Sequence, residues 1–185
     1  MGHLGGCATS DEIVQAVMNG LSQVGKKLAN EGHHPNSVWT GRILFSLGRL
    51  GMEFGYAVYP NFDDENERID RAWLYDLVWC KENFKENRKF EGISLVLESE
   101  WKRNIEELNY DFQKLVQAKA DIKVFICDWL EDGWKDILMQ TVRAFRPQNE
   151  SERYLIAECQ YSSSKCVKGV FKFALIDGCG NLIRF

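Results

Sequence analysis

The chain has 185 residues, a length that favours one domain, 1–185. Hydrophobic residues are 45% and charged residues 27%, so an ordinary globular core can form without disulfide or metal staples. The formal net charge of −4 disfavours a protein that coats nucleic acid by bulk charge but leaves room for a local basic groove.

The first ten residues, MGHLGGCATS, lack a basic segment followed by an apolar stretch, so a flexible start is expected rather than a signal peptide. Residues 11–30 place Ile13, Val17, Leu21, Val24 and Leu28 at helical spacing. Ser10 is the expected N-cap, and Lys26 and Lys27 suit a C-terminal turn. EGHHPNS reads as a loop, and residues 37–52 as a second helix with Trp39, Ile43, Leu47 and Leu50 on one stripe. FGYAVYPNF reads as a short strand, RAWLYDLVWC as a long one, and KENFKENRKFEG as a charged hairpin loop. ISLVLESEW is the next strand. Residues 103–119 form an amphipathic helix with Ile105, Leu108, Phe112, Leu115 and Val116 on its apolar face.

IKVFICDW is a buried strand, and residues 132–145 a further helix ended by Pro147. RYLIAEC and GVFKFALID are two more strands, CGN a turn, and LIRF a last edge strand. The expected fold class is therefore α/β: a mixed central sheet flanked by helices on both faces. The strand after the 103–119 helix should run parallel to a meander strand through a right-handed crossover. No run approaches the roughly 20 apolar residues of a membrane span. The six cysteines include no CxxC pair, and the three histidines have no paired cysteines near them in sequence, which points to a reduced, cytoplasmic protein without a zinc site.

The informative residues are acids in apolar strands. Asp76 stands within WLYDLVW, and Glu98 and Glu100 end LVLESEW two residues apart, on one strand face. Carboxylates on adjacent strands repel unless protonated or neutralised, and a divalent cation is the usual neutraliser. Magnesium takes one or two carboxylates, waters and phosphate oxygens, and a metal so held activates water against a phosphodiester. The plainer alternative is structural: Asp76 bonded to a backbone amide or to Arg42, Arg49 or Arg103, and ESE simply where the strand meets solvent.

The order helix, strand, strand with Asp76, strand with Glu98-Ser99-Glu100, helix, strand resembles the α-β-β-β-α-β core of the PD-(D/E)XK nuclease superfamily, the restriction-endonuclease-like fold. The resemblance covers residues 37–128. It implies metal-dependent phosphodiester hydrolysis on nucleic acid, DNA rather than RNA, with magnesium or manganese as cofactor. By match, Asp76 and Glu98 are implied metal ligands, with the Ser99 carbonyl as a further one and Glu53 as the extra acid some members carry on their first helix. Position 100 is usually lysine in that family; here it is Glu100, an E-x-E variant that suggests a general base, a further ligand or lost activity. Lys102 and Lys114 are the lysines placed to substitute for it, with Gln113 and Gln117 near the latter. Such nucleases often pair to cut two strands, so a homodimer is compatible. The length fits a repair-type, mobile-element or defence-associated nuclease domain better than a restriction enzyme.

The alternative function is a catalytically inactive nuclease-fold protein acting as an interaction module, favoured by Glu100 and the acidic net charge. A small-molecule α/β enzyme has less support, because no glycine-rich phosphate loop follows any strand. His33-His34 reads as an exposed loop pair. The tryptophans at 39, 73, 79, 101 and 134 read as core, with Trp129 the best candidate for exposure. Lys81, Lys85, Arg88 and Lys89 form a basic, glutamate-interleaved loop expected beside the acids.

Overall fold

The structure is a computed structural model describing residues 8–60, 74–83, 89–102, 104–128, 133–145, 149–162 and 167–183. Its elements in chain order are α1 (Ser10–Glu31), α2 (Asn36–Glu53), β1 (Ala57–Pro60), β2 (Leu77–Asn83), β3 (Lys89–Glu100) and α3 (Ile105–Gln117). There follow β4 (Ala120–Asp128), α4 (Trp134–Ala144), β5 (Arg153–Ser162), β6 (Val167–Asp177) and β7 (Leu182–Ile183). The seven strands form one sheet whose spatial order is the chain order. β1–β2 and β2–β3 pair antiparallel, β3–β4 and β4–β5 parallel, and β5–β6 and β6–β7 antiparallel.

The two parallel pairs need crossovers, and α3 and α4 supply them. Both helices cover one face, where Leu108, Phe112, Leu115, Leu138 and Val142 meet Val78, Val96, Phe125 and Ile156. α1 and α2 cover the other, where Ile13, Val17, Leu21, Ile43 and Leu47 meet Leu77, Leu95, Val124 and Leu155. The alternation along each strand sends neighbouring side chains to opposite faces, so β3 and β4 are apolar on both. Each fully buried aliphatic or aromatic side chain contributes about 1.5–3 kcal/mol, which outweighs local propensity in setting the register. Close packing is visible at Gly51, where a Cβ would come within 2.7 Å of the Trp79 ring.

The mixed sheet with helices on both faces agrees with the sequence reading, as do the parallel β3–β4 pair and the terminal edge strand. The differences are local. The N-cap of α1 is Thr9, not Ser10: Thr9 and Glu12 form a capping box, the threonine accepting from the Glu12 amide while the glutamate accepts from the Thr9 amide. Because α1 continues to Glu31, Lys26 and Lys27 fall short of its last turn. β1 covers only four residues and β2 begins at Leu77, so Asp76 lies in a bend before the strand rather than within it. The helix ends at Ile105 and Phe145 are exposed rather than packed.

Two of the basic residues, Lys81 and Lys89, also lie elsewhere than expected. β2 runs away from Asp76, so Lys81 and Lys89 sit at the far end of the sheet from the acids, where Lys81 pairs with Asp121 at 2.6 Å. Lys85, Arg88, Trp73, Trp129, Arg103 and Pro147 lie outside the described residues, as do residues 1–7 of the expected flexible start. Trp39, Trp79 and Trp134 are buried, and Cys80 and Cys127 pack as small apolar groups. No described helix is long and apolar enough to cross a membrane.

Candidate functional site

The register of the β2–β3 hairpin decides how the acids meet. Leu77 pairs with Leu97, so the bend residue Asp76 stands beside the Glu98–Ser99 peptide. Asp76 Oδ2 accepts from the Ser99 amide at 2.8 Å and from the Ser99 hydroxyl at 2.7 Å. Its other oxygen, Oδ1, accepts no hydrogen bond from the described residues. Neither Arg42 nor Arg49 reaches it, so the simplest structural partnership for Asp76 is with the backbone of the next strand.

Glu98 points to the α3 face and is only 5% exposed. Lys114 of α3 reaches it, with Nζ 2.8 Å from Oε1. Asp111, one helical turn earlier, holds the same ammonium at 3.2 Å. Burial pushes the Glu98 carboxyl up to about 7, with the negative charges of Asp76 and Asp111 adding to the rise and Lys114 opposing it. The Lys114 ammonium is raised: burial acts against it, but the hydrogen bonds and charges of Glu98 and Asp111 prevail. Tyr75, also buried, is raised first by burial and then by Glu98. Lys114 therefore bridges two carboxyl groups, Glu98 and Asp111, while Asp76 adds its negative charge beside Glu98.

The remaining expected residues divide. Glu100 emerges on the same face as Glu98, but its Oε1 accepts from the Lys102 amide at 2.7 Å, folding it back on its own chain. Lys102 is turned to Glu107 at 2.7 Å and is largely solvent-exposed, so it stands beside the site and not in it. Lys114 is the lysine that joins the acids. Gln113 and Gln117 are exposed on the outer side of α3. Glu53 does not join them: it is exposed at the end of α2, near Gly55, Lys81 and Glu91, at the opposite end of the sheet. The reason is direction, since α2 and β1 run antiparallel and the helix ends where the strand begins. His34 contacts Glu31 at 3.6 Å, also away from the acids.

Asp111 was not singled out in the sequence, although its i, i+3 spacing to Lys114 on a helix with buried Leu108, Phe112 and Leu115 was a readable signal. Asp128 and Glu158 were also missed. They are buried at the carboxyl ends of β4 and β5, beside the end of β3 that carries Glu98. Glu158 lies opposite Cys127, whose thiol is raised mainly by burial and then by that carboxylate. Acids thus gather where α/β sheets open crevices for ligands, outside the carboxyl ends of parallel strands.

A magnesium-type ion needs only one or two protein carboxylates, the rest of its shell being water and substrate oxygen. Asp76 and Glu98, on neighbouring segments and electrostatically coupled, fit that donor set. They do not form a protein-only cage: among the described residues no three His, Cys, Asp or Glu side chains converge to hold a metal ion. No protein-family model and no curated protein matches the chain.

Proposed function

We propose that this protein is a divalent-cation-dependent phosphodiesterase acting on nucleic acid, built on a restriction-endonuclease-like core of α2-β1-β2-β3-α3-β4. The observation that carries the reading is the Asp76–Glu98–Lys114 constellation: two carboxylates from adjacent segments and a lysine delivered from the crossover helix. The antiparallel, antiparallel, parallel pairing of β1 to β4 supports the same core. DNA is preferred to RNA on the sequence resemblance alone. Magnesium or manganese held by Asp76 and Glu98 would supply activation of water and neutralisation of charge at the phosphodiester.

The chain's own groups have separable tasks in this reading. Ser99 orients Asp76 through its amide and hydroxyl. Asp111 steers Lys114, whose ammonium, beside Glu98, would take the part of the lysine usual at position 100 and donate a hydrogen bond to a phosphate oxygen. Glu100, bonded to the Lys102 amide, is given no step. A second reading, a fold-retaining interaction protein without chemistry, is favoured by one observation: Lys114 already occupies Glu98 as an ion-pair partner.

Calorimetric titration of manganese into the wild type and Asp76→Asn separates the two. Asparagine keeps an acceptor for Ser99 but removes the charge. Heat of binding in the wild type that vanishes in the variant supports the enzyme, and cleavage of labelled DNA should then vanish with it. No binding in the wild type, with a DNA duplex present, leaves the interaction protein.

A further inference from the structure

On the outer surface of the α1–α2 pair lies a groove of about 560 Å³. The four-residue link between the helices makes them antiparallel, and Gly20 faces Leu47 and Leu50, which sets their register. Gly20 and Ala16 keep the floor low. In that register Lys27 and Arg42 stand level near the loop, Phe45 lies level with Gln23, and Arg49 lies level with Asn19. Arg42 and Arg49 are seven residues apart, hence about 10 Å along the helix. Phe45 stands between them and is 56% exposed. The two lining acids, Glu31 and Glu53, fall at the opposite ends of the groove. Among the described residues, the side chains of Lys27, Arg42 and Arg49 make no ion pair or hydrogen bond, although the molecule carries excess acid.

We propose that this groove binds a single-stranded segment of nucleic acid, its phosphates on Arg42, Arg49 and Lys27 and a base against Phe45. Unpaired cations set along a track with an aromatic face between them match a polyanion that also carries planar groups; an acidic peptide would leave Phe45 unused. Amide side chains of Asn19 and Gln23 add donors and acceptors along the opposite wall. α2, which carries both arginines, is tied to the end of β3 by one hydrogen bond. Trp101, directly after Glu100, donates its indole N–H to Thr40 at 2.8 Å, and Arg42 follows two residues later. The inference rests on the reading of Asp76 and Glu98 as a nucleic-acid-processing site and assigns a second contact surface for its substrate, on the other helix layer.

The test is fluorescence anisotropy of a labelled mixed-sequence 12-nucleotide DNA strand with the full chain, in chelator, at several salt concentrations. Arg42→Ala/Arg49→Ala should weaken binding about tenfold or more and lower the salt slope by about 1.4, since each phosphate contact on a single strand contributes about 0.7. Phe45→Ala should weaken it about tenfold with the slope unchanged. Equal affinity in the double-arginine variant overturns the proposal, as does absence of binding by the wild type at low salt. Displacement of the strand by polyglutamate of matched charge as effectively as by unlabelled DNA overturns it too, and assigns the groove to an acidic protein. Manganese calorimetry on the same samples reports separately on the carboxylate site. Loss of that heat defeats the enzymatic reading, whereas heat retained with unchanged strand affinity in the arginine variant defeats only the groove.

Discussion

Two ion pairs lie buried on the same face of the sheet, at opposite ends. At the amino end of β4, Lys123 is 1% exposed and pairs with Glu152, while its ammonium donates to the Tyr154 hydroxyl at 2.9 Å. Tyr154 in turn donates to Glu152 at 2.9 Å, so the three groups close on one another. At the carboxyl end of β3, Glu98 and Asp111 share Lys114, and Asp76 adds further negative charge beside Glu98. Burial lowers the Lys123 ammonium against the opposing pull of Glu152, and it raises the Glu98 carboxyl with the help of its neighbours. A closed network holds its geometry and has nothing left to bind. A surplus of carboxylate beside one lysine has capacity for a cation. Burial alone does not distinguish a structural pair from a site; the local charge balance does.

The largest expected effect breaks the closed network. Lys123→Ala should cost about 3–5 kcal/mol in urea unfolding, because it leaves Glu152 and Tyr154 without their partner. Lys123→Met, which fills the space against the Tyr154 ring, should cost clearly less. Equal losses for the two would show that the lost charge and not packing sets the effect.

The acid end should respond to pH in the opposite sense from an ordinary salt-bridged carboxylate. Glu98 keeps its proton to about 7 in the folded chain, against an ordinary value of 4.5, so the folded state binds more protons between those values. Stability contributed by this group is complete below about 4.5 and falls as pH rises to about 7. Glu98→Gln should flatten that slope and stabilise the protein at pH 8 by up to about 3 kcal/mol. A slope unchanged in the variant assigns the pH dependence elsewhere.

Double-mutant cycles sharpen the contrast further. The Lys123–Glu152 coupling should exceed that of Glu98–Lys114, within the range of about 0.5–3 kcal/mol found for contacting groups. The smallest effect is expected at Asp111→Asn. It should shift stability by only about 0.5 kcal/mol, since an i, i+3 pair is weak, but weaken manganese binding about tenfold by freeing Lys114 from its helical anchor. Unaltered manganese affinity would remove Asp111 from the site.

Much of this was readable in the chain. The apolar periodicities of residues 11–30 and 103–119 placed α1 and α3, and the link from ISLVLESEW through a helix to IKVFIC required the parallel β3–β4 pair. The capping signal was present too, but it belonged to Thr9, whose partner Glu12 lies three residues on. The site was legible only in part. Asp76, Glu98 and Lys114 could be named, yet Glu53, Lys81 and Lys89 were set on the wrong end of the sheet, because strand direction, not spacing in the chain, decides which end a residue occupies.

The sequence by itself determined the elements, their order and the faces they bury, since these follow from side-chain periodicity within a few turns or strand residues. Only the tertiary structure decided the bend that offers Asp76 to Ser99, the placement of Lys114 and Asp111 over Glu98, and the meeting of Lys123 with Glu152. Those contacts join positions far apart in the chain, and pairing of that kind is set by strand register and helix packing, which no local pattern encodes.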